Sequence, residues 1–224
     1  MIKGDYTMQV KKGSLTVISG FSGAGKGTIV HELLAEHPEY VVSVSVTTRA
    51  PRPGEVDGVD YHFITQEQFD ELVRRDGLLE HAGYVSHSYG TPRQFVEASI
   101  AQGRDVILEI DVQGAWQIRD QVPDAIFIFI MPPSAGELKR RMYSRGTESE
   151  EEIRGRLLRA REEAHDMFDY DYLIVNDDLE EAVEQLHHTI QSAKNEIKRC
   201  MPFAQEIRRE LDLMTREEDQ DGAF

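Results

Sequence analysis

The sequence contains a single cysteine, Cys200, in 224 residues, which excludes a disulfide framework and a zinc site built from several cysteines. Its longest apolar run, residues 125–131, is far shorter than the roughly 20 residues that cross a membrane. The first residues, MIKGD, lack the apolar stretch of a secretory signal. We therefore expect a cytoplasmic protein with no membrane partner.

Basic residues are outnumbered by acidic ones. The chain has 25 Lys and Arg against 41 Asp and Glu, which gives a net charge of −16. A surface this acidic repels DNA, RNA and anionic lipid, so we expect no nucleic-acid partner. A small anion can still bind where a few cationic groups cluster, and nucleotides therefore remain candidate ligands.

Apolar runs of strand length alternate with longer helical patterns along most of the chain. The strand-like runs are residues 15–19, 40–46, 105–110, 125–130 and 172–175, and the helical patterns are residues 27–36, 112–121 and 134–168. Continuous apolar strands separated by helices predict a parallel sheet that is covered on both faces. The predicted class is α/β, with a parallel β-sheet core flanked by helices.

Residues 47–91 break this alternation, because their segments are short and more polar. They include a helical pattern at 66–75 with Thr65 as its N-cap, and together they predict a small α+β insert. The core then consists of residues 1–46 and 92–224, of which about 179–224 form a C-terminal helical segment. A polar bridge at 145–150 separates two helices within 134–168.

The strongest chemical signal is the segment GFSGAGKGT at residues 20–28, which follows the first strand and opens the first helix. In that context glycines turn successive N–H groups toward one anion, and the helix N-terminus adds positive potential. This pattern predicts a phosphate-binding loop in which Lys26 neutralises the transferred phosphoryl group; a chance glycine-rich turn is the alternative. The predicted ATP-binding residues of the loop are Ser22, Gly23, Ala24, Gly25, Lys26, Gly27 and Thr28.

Gly27 stands where a phosphate loop usually has the Ser or Thr that ligates Mg²⁺. The hydroxyl has moved to Thr28, which argues against direct metal ligation by the loop, although Thr28 can still bond a phosphate. The GKGT ending resembles that of adenylate kinases, so the loop by itself leaves the acceptor base open.

Two arginines follow in the segment SVSVTTRAPRPGE at residues 43–55. Two prolines stiffen this segment, and Arg49 and Arg52 lie close enough along the chain to clamp one phosphate with bidentate hydrogen bonds. Taken alone, the two side chains are better explained as solvated surface arginines.

The same segment resembles guanylate kinase, and so do GEVDGVDY at 54–61, GYVSHSYGT at 83–91, EIDVQG at 109–114, RGT at 145–147 and IVND at 174–177. The resemblance is collinear from about residue 13 to about residue 201. It implies a P-loop kinase fold in which 47–91 is a GMP-binding insert and about 134–168 is a short helical lid. It also implies transfer of the γ-phosphoryl group of ATP to GMP, with Mg²⁺ bound to ATP. A non-catalytic guanylate-kinase-like module that binds proteins is the alternative, and the intact phosphate loop argues against it.

The resemblance implies that Arg49 and Arg52 hold the phosphate of GMP, with Tyr61 and Tyr89 donating hydroxyl hydrogen bonds to it. From the residues alone, each tyrosine is an aromatic packing residue with a solvated hydroxyl.

For the base, the resemblance implies that Glu80 accepts hydrogen bonds from N1–H and the exocyclic amine of guanine. Adenine does not offer that pair of donors, so it would leave the carboxylate unpaired. Ser45 and Thr91 would supply hydroxyl groups to the guanine oxygen. From the residues alone, Glu80 is a strand carboxylate facing water, and Ser45 and Thr91 are ordinary strand or helix-cap residues.

Two acids, Glu109 and Asp111, end a central strand, where ligands bind in open α/β sheets. Asp111 is a candidate GMP contact and a candidate Mg²⁺ ligand through water; its alternative role is to cap the following helix. Glu109 stands where the family more often has Asp, and we assign it no role.

Residues 137–161 carry eight Lys and Arg against five Asp and Glu, a local charge of +3 in a chain of −16. This reversal suits a site for highly charged nucleotides. Salt-bridged helix faces, with Glu four residues before Arg as at Glu137–Arg141 and Glu152–Arg156, are the alternative.

The resemblance implies that Arg141, Arg145 and Arg156 are lid arginines that close over the ATP phosphates, with Asn176 near adenine. Together with Lys26 and Arg49, these three arginines complete the predicted catalytic set. The predicted partners are the nucleotides ATP and GMP, and the sequence leaves a homo-oligomer open.

Overall fold

The chain folds into two β-sheets in a computed structural model that describes residues 13–84, 86–144 and 149–221. The strands, in chain order, are β1 (Leu15–Gly20), β2 (Tyr40–Val42), β3 (Val46–Thr47), β4 (His62–Phe63), β5 (Leu78–Tyr84), β6 (His87–Pro92), β7 (Asp105–Glu109), β8 (Ile126–Met131) and β9 (Tyr172–Val175). The helices, in chain order, are α1 (Lys26–Glu36), α2 (Gln66–Arg74), α3 (Arg93–Ala101), α4 (Val112–Gln121), α5 (Ala135–Ser144), α6 (Glu150–Asp166), α7 (Leu179–Ala193) and α8 (Ile197–Asp221). None of the helices in these ranges combines the length and the apolar character needed to cross a membrane.

The larger sheet has the strand order β2-β7-β1-β8-β9, and every neighbouring pair in it is parallel. All six residues of β1 are buried, as expected for a central strand covered on both faces. Since side chains alternate along a strand, Val17 belongs to one apolar cluster and Ile18 to the other. Helices α1 and α7 contribute to the cluster that contains Ile18, and α3 and α4 contribute to the cluster that contains Val17. The predicted α/β class is confirmed.

The smaller sheet has the order β4-β3-β6-β5 and is antiparallel except for the β3–β4 pair. It packs on α2 through a small core of Val46, Phe69 and Leu78. Thr65 starts α2 with a capping box: its hydroxyl accepts from the backbone N–H of Gln68, and the Gln68 side chain accepts from the Thr65 N–H. The predicted N-cap is therefore confirmed.

The apolar run at 40–46 was predicted to be one strand, and that prediction is wrong. Residues 40–42 pair with β7 in the larger sheet, where the Ser43 N–H still donates to the Ile107 carbonyl. Val46 instead pairs with Gly90 and His62 in the smaller sheet. Apolar content is the same on both sides of the break, so only the strand partners distinguish the two segments.

The predicted helical region 134–168 contains α5, α6 and a 3₁₀ turn at Met167–Asp169. Residues 145–148, most of the predicted polar bridge, lie outside the described residues. A capping box starts α6, in which Ser149 and Glu152 exchange hydrogen bonds between side chain and backbone.

Candidate active site

The phosphate loop connects β1 to α1 at the carboxyl edge of the parallel sheet. Gly25 is the N-cap of α1 and has a φ of +92°, a left-handed conformation that residues with a Cβ rarely adopt. A Cβ on Gly25 would lie 2.4 Å from Nδ2 of Asn176, and this amide donates to the Ala24 carbonyl at 2.7 Å. The structure thus packs the loop directly against the residue that follows β9.

Lys26 is folded back on the loop that carries it. Its Nζ donates to the carbonyl oxygen of Gly20 at 2.7 Å and to that of Phe21 at 3.3 Å. Gly27 and Thr28 occupy the exposed first turn of α1. The ammonium group therefore lies against the loop backbone at the N-terminus of α1, where the first helix N–H groups suit an anion.

Two arginines from α5 and α6 meet the loop. Nη2 of Arg141 donates to the Asn176 carbonyl at 2.9 Å, while its Nε donates to Glu137 at 2.7 Å. Nη2 of Arg156 donates to Oγ of Ser22 at 2.9 Å. The Glu137–Arg141 ion pair expected of a salt-bridged helix face is present, and it holds Arg141 beside the loop. Arg145, also predicted in this set, lies outside the described residues.

Arg49, which follows β3 of the smaller sheet, forms a bidentate ion pair with Glu55. Nη1 and Nη2 of Arg49 each donate to one carboxylate oxygen of Glu55 at 2.9 Å, and the guanidinium carbon lies 5.4 Å from the ring centre of Tyr61. These hydrogen bonds raise the pKa of Arg49 above its usual value, and the side chain is only 11% exposed. The alternative of a solvated surface arginine is therefore wrong for Arg49.

Tyr61 and Tyr89 lie beside Arg49, and the backbone of Arg52 contacts the same Glu55. The rings of Tyr61 and Tyr89 lie edge to face with 5.9 Å between centres, and the Tyr89 hydroxyl interacts with Arg49. Arg52 is exposed, and its backbone N–H donates to Glu55 at 2.7 Å. Glu55 has no assigned role in the sequence prediction, although a carboxylate three residues after Arg52 in a proline-stiffened segment was a usable signal.

Glu80, on β5, is only 5% exposed, so the alternative of a carboxylate facing water is wrong. The Thr91 hydroxyl donates to its Oε1 at 2.6 Å, which also excludes a helix-cap role for that hydroxyl. The pKa of Glu80 is raised to about 7, mainly by burial, with Asp111 acting in the same direction and the hydrogen bond from Thr91 opposing the shift. A Cβ on Gly114 would lie 2.5 Å from Oε2 of Glu80, so the carboxylate fits only because α4 has no side chain there. Ser45 directly precedes β3 and is partly buried.

Asp111 is the N-cap residue of α4, yet its side chain makes no capping hydrogen bond, so the capping alternative is wrong. It lies close enough to Glu80, Glu109 and Glu163 to raise the pKa of all three carboxyl groups. Desolvation by the surrounding protein atoms raises the pKa of Glu109, although part of the residue is exposed to solvent. The charge of Lys26 opposes this shift. The carboxyl groups therefore lie between Tyr61 beside Arg49 and Lys26 of the phosphate loop.

Glu163, on α6, was missed by the sequence prediction. Its Oε2 is buried without a hydrogen-bond partner among the described residues, and burial raises its pKa to about 7 against the opposing charge of Lys26. No spacing signal connects residue 163 with residue 26. Only the return of α6 across the loop brings them together.

A phosphate loop after the first strand of a parallel sheet, facing a second cationic site across a group of acids, defines a phosphotransferase of the P-loop class. A sequence model of the guanylate kinase family matches residues 12–193. The guanylate kinase of Oceanobacillus iheyensis is 50% identical over 182 residues, which is 81% of this chain and 88% of that protein. The guanylate kinase of Thermus thermophilus is 52% identical over 176 residues, which is 79% of this chain and 78% of that protein.

A solved structure agrees with these sequence matches. The crystal structure of guanylate kinase from Anaplasma phagocytophilum superimposes with a TM-score of 0.70 at 35% identity, over 84% of this chain and 90% of that one. The chain belongs to the guanylate kinase family, which confirms the resemblance carried by its motifs.

Proposed function

We propose that this chain transfers the γ-phosphoryl group of ATP to GMP and releases ADP and GDP. The observation that carries the proposal is Glu80, a buried carboxylate held by Thr91 between the small sheet and α4. A buried acceptor of this kind needs donors, and guanine offers N1–H and an exocyclic amine side by side. Adenine lacks this pair of donors, so its binding would leave the buried carboxylate without hydrogen bonds from the base, which is unfavourable.

GMP lies with its base on Glu80 and its phosphate toward Arg49, within the insert of residues 47–91. The phosphate takes hydrogen bonds from Tyr61 and Tyr89 and from the guanidinium groups of Arg49 and Arg52. In this structure the two carboxylate oxygens of Glu55 accept hydrogen bonds from Nη1 and Nη2 of Arg49. Two oxygens of a phosphate can accept from the same pair of nitrogens and so replace the carboxylate. Ser45 and Thr91 complete the surroundings of the base, and Asp111 lies between GMP and the loop.

ATP binds with its phosphates in the loop of residues 22–28. Lys26 leaves the loop carbonyls for the phosphate, and Arg141 and Arg156 approach from the lid at about 134–168, with Asn176 at the adenine end. Phosphoryl transfer proceeds through a loose transition state in which positioning and charge neutralisation supply most of the acceleration. The acceptor phosphate is already ionised, so no strong general base is required. Closure of lid and insert excludes water, which would otherwise hydrolyse ATP.

The donor set of the cleft fits Mg²⁺ carried in by ATP. Glu109 and Asp111 offer carboxylate oxygens, the ligand type that Mg²⁺ prefers, and a Cβ on Gly27 would lie 3.5 Å from Oε2 of Glu109. A carboxylate thus stands beside the position where the usual loop hydroxyl is missing. Asp111 and Glu109 would hold the hydrated ion through water, and the ion would neutralise charge that develops between the two phosphates.

An acceptor panel tests the proposal. Steady-state turnover with ATP is measured for GMP, AMP, UMP and CMP at equal concentrations, with ADP formation as the readout. We expect GMP to be preferred by at least about 100-fold, the discrimination typical of an unpaired buried polar group. Equal rates with AMP would overturn the guanine assignment. Absence of turnover together with absence of ATP binding in a calorimetric titration would overturn the kinase assignment itself.

A further inference from the structure

Helix α8 follows the segment that the family model matches. The family match ends at residue 193, and α8 spans 25 residues from Ile197 to Asp221, about 37 Å at 1.5 Å per residue. Its first turn is fixed to the body by Arg199, which donates to the carbonyl oxygens of Asp124 and Ala125 at 2.9 Å. None of the residues placed in the nucleotide sites lies on this helix.

One face of α8 carries apolar side chains at alternating intervals of three and four residues. We call these residues the apolar seam: Ile197, Cys200, Ala204, Ile207, Leu211 and Met214. This spacing is that of the a and d positions of a coiled coil, whose side chains are normally covered by a second helix. Here the large members are open to solvent, with Ile197 70% exposed, Leu211 56% and Met214 59%.

The charges of α8 are divided between its two halves. Residues 197–209 contain four basic side chains and one acidic, whereas residues 210–221 contain six acidic and one basic. Two such helices side by side in parallel would place acid against acid along one half. The antiparallel arrangement brings the basic end of each helix toward the acidic end of the other, and it also opposes the two helix dipoles.

We propose that α8 is a dimerisation helix, which packs its apolar seam against α8 of a second copy of this chain in antiparallel orientation. With the two-fold axis between residues 205 and 206, every seam residue meets a seam residue: Cys200 faces Leu211 of the second copy, and Ala204 faces Ile207. The anchoring residue Arg199 lies about 110° around the helix from the centre of the seam, at 100° per residue. The large seam residues Ile197, Ile207, Leu211 and Met214 are exposed, whereas Cys200 and Ala204 are partly buried.

The chain offers a matched control for the seam. Leu213 is also exposed, at 53%, but at 100° per residue it lies on the side of α8 away from the seam. Sedimentation equilibrium of the full chain is compared for the wild type, Leu211→Glu and Leu213→Glu across micromolar concentrations. We expect dimers of the wild type and of Leu213→Glu, and monomers of Leu211→Glu. A monomeric wild type overturns the proposal, as does a Leu211→Glu variant that dimerises as well as the wild type.

Far-UV circular dichroism and kinase turnover of each variant show that a monomeric variant is folded. A Leu211→Glu variant that lost its fold would be replaced by Ile207→Gln, for which the same shift to monomer is expected. This test does not depend on the proposed reaction, because it measures mass rather than turnover.

The only cysteine of the chain reports the orientation of the helices. A disulfide needs Cα atoms within about 7 Å, which parallel pairing gives to two copies of Cys200 and antiparallel pairing does not. Under a mild thiol oxidant we expect no covalent dimer of the wild type and a covalent dimer of Leu211→Cys, whose new thiol faces Cys200 of the second copy. The double variant Cys200→Ala, Leu211→Cys should lose that crosslink. Efficient crosslinking of the wild type would overturn the antiparallel arrangement.

Discussion

Replacing Glu80 by Gln is expected to stabilise the folded protein at alkaline pH while it removes the preference for GMP. The carboxyl group is 5% exposed, and burial raises its pKa to about 7 from an ordinary value of 4.5. Since the folded state holds this proton more tightly than the unfolded state, the free energy of unfolding falls as pH rises from 4.5 to 7 and then levels off.

The size of the effect follows from the same two values. At pH 8 the carboxyl group is ionised in both the folded and the unfolded state. The rise in its pKa from 4.5 to about 7 then lowers the free energy of unfolding by roughly 3 kcal/mol relative to an uncharged side chain. At pH 5 the same pKa difference lowers the free energy of unfolding by only about 1 kcal/mol, because Glu80 is then still protonated in the folded state. Gln has the shape of Glu and can still accept from the Thr91 hydroxyl, so the variant removes the charge with little loss of packing.

Urea unfolding at pH 5 and pH 8 measures this difference, with the exposed Glu36→Gln as the matched control. We expect Glu80→Gln to exceed the wild type in unfolding free energy by about 1–3 kcal/mol at pH 8 and by less at pH 5. In the acceptor panel the same variant should show a KM for GMP raised by roughly 10- to 100-fold. Lower stability than the wild type at pH 8, or an unchanged GMP-to-AMP ratio, would refute the reasoning.

Three further substitutions test other parts of the site and the fold. Lys26→Ala should lower kcat by roughly 10³-fold with only a modest shift of the urea midpoint, because Nζ donates hydrogen bonds to loop carbonyls and acts on Glu109 and Glu163 through its charge; a variant with wild-type kcat would contradict the role of the loop. Gly114→Ala should raise the KM for GMP about 10-fold and leave the KM for ATP unchanged, since the three atoms nearest to its Cβ all belong to the Glu80 side chain; equal effects on both nucleotides in steady-state assays would argue against it. Thr65→Ala should reduce the free energy of unfolding by about 1 kcal/mol through loss of the α2 cap, with kcat/KM retained; urea denaturation that shows no change would exclude the capping contribution.

Some parts of the site were predictable because the chemistry is contiguous in the chain. The phosphate loop joins glycines, Lys26 and a helix start within nine residues, and its geometry depends on backbone that those residues themselves determine. The cap of α2 is local in the same way, since Thr65 and Gln68 are three residues apart. For Arg49, by contrast, the residues alone favoured a solvated side chain, and it is the contact with Glu55 and Tyr61 that buries it.

Other features depended on partners that are distant in the sequence. The apolar run at 40–46 divides where its first residues find β7 and its last find β4 and β6, and no local property marks that point. Glu163 reaches the neighbourhood of Lys26 only because α6 returns across the loop. The pKa of Glu80 is likewise a property of the small sheet and α4 together, since Gly114 makes the space in which the carboxyl group is buried.

By itself, the sequence determined the alternation of apolar strands and helices, the anion-binding turn after the first strand and the set of motifs shared with guanylate kinases, because each is encoded in residues a few positions apart. Tertiary structure alone decided which carboxyl groups are buried, which guanidinium groups are held and which face of α8 stays uncovered. Burial and charge pairing are set by neighbours far along the chain, and those neighbours exist only once the sheets and helices have packed.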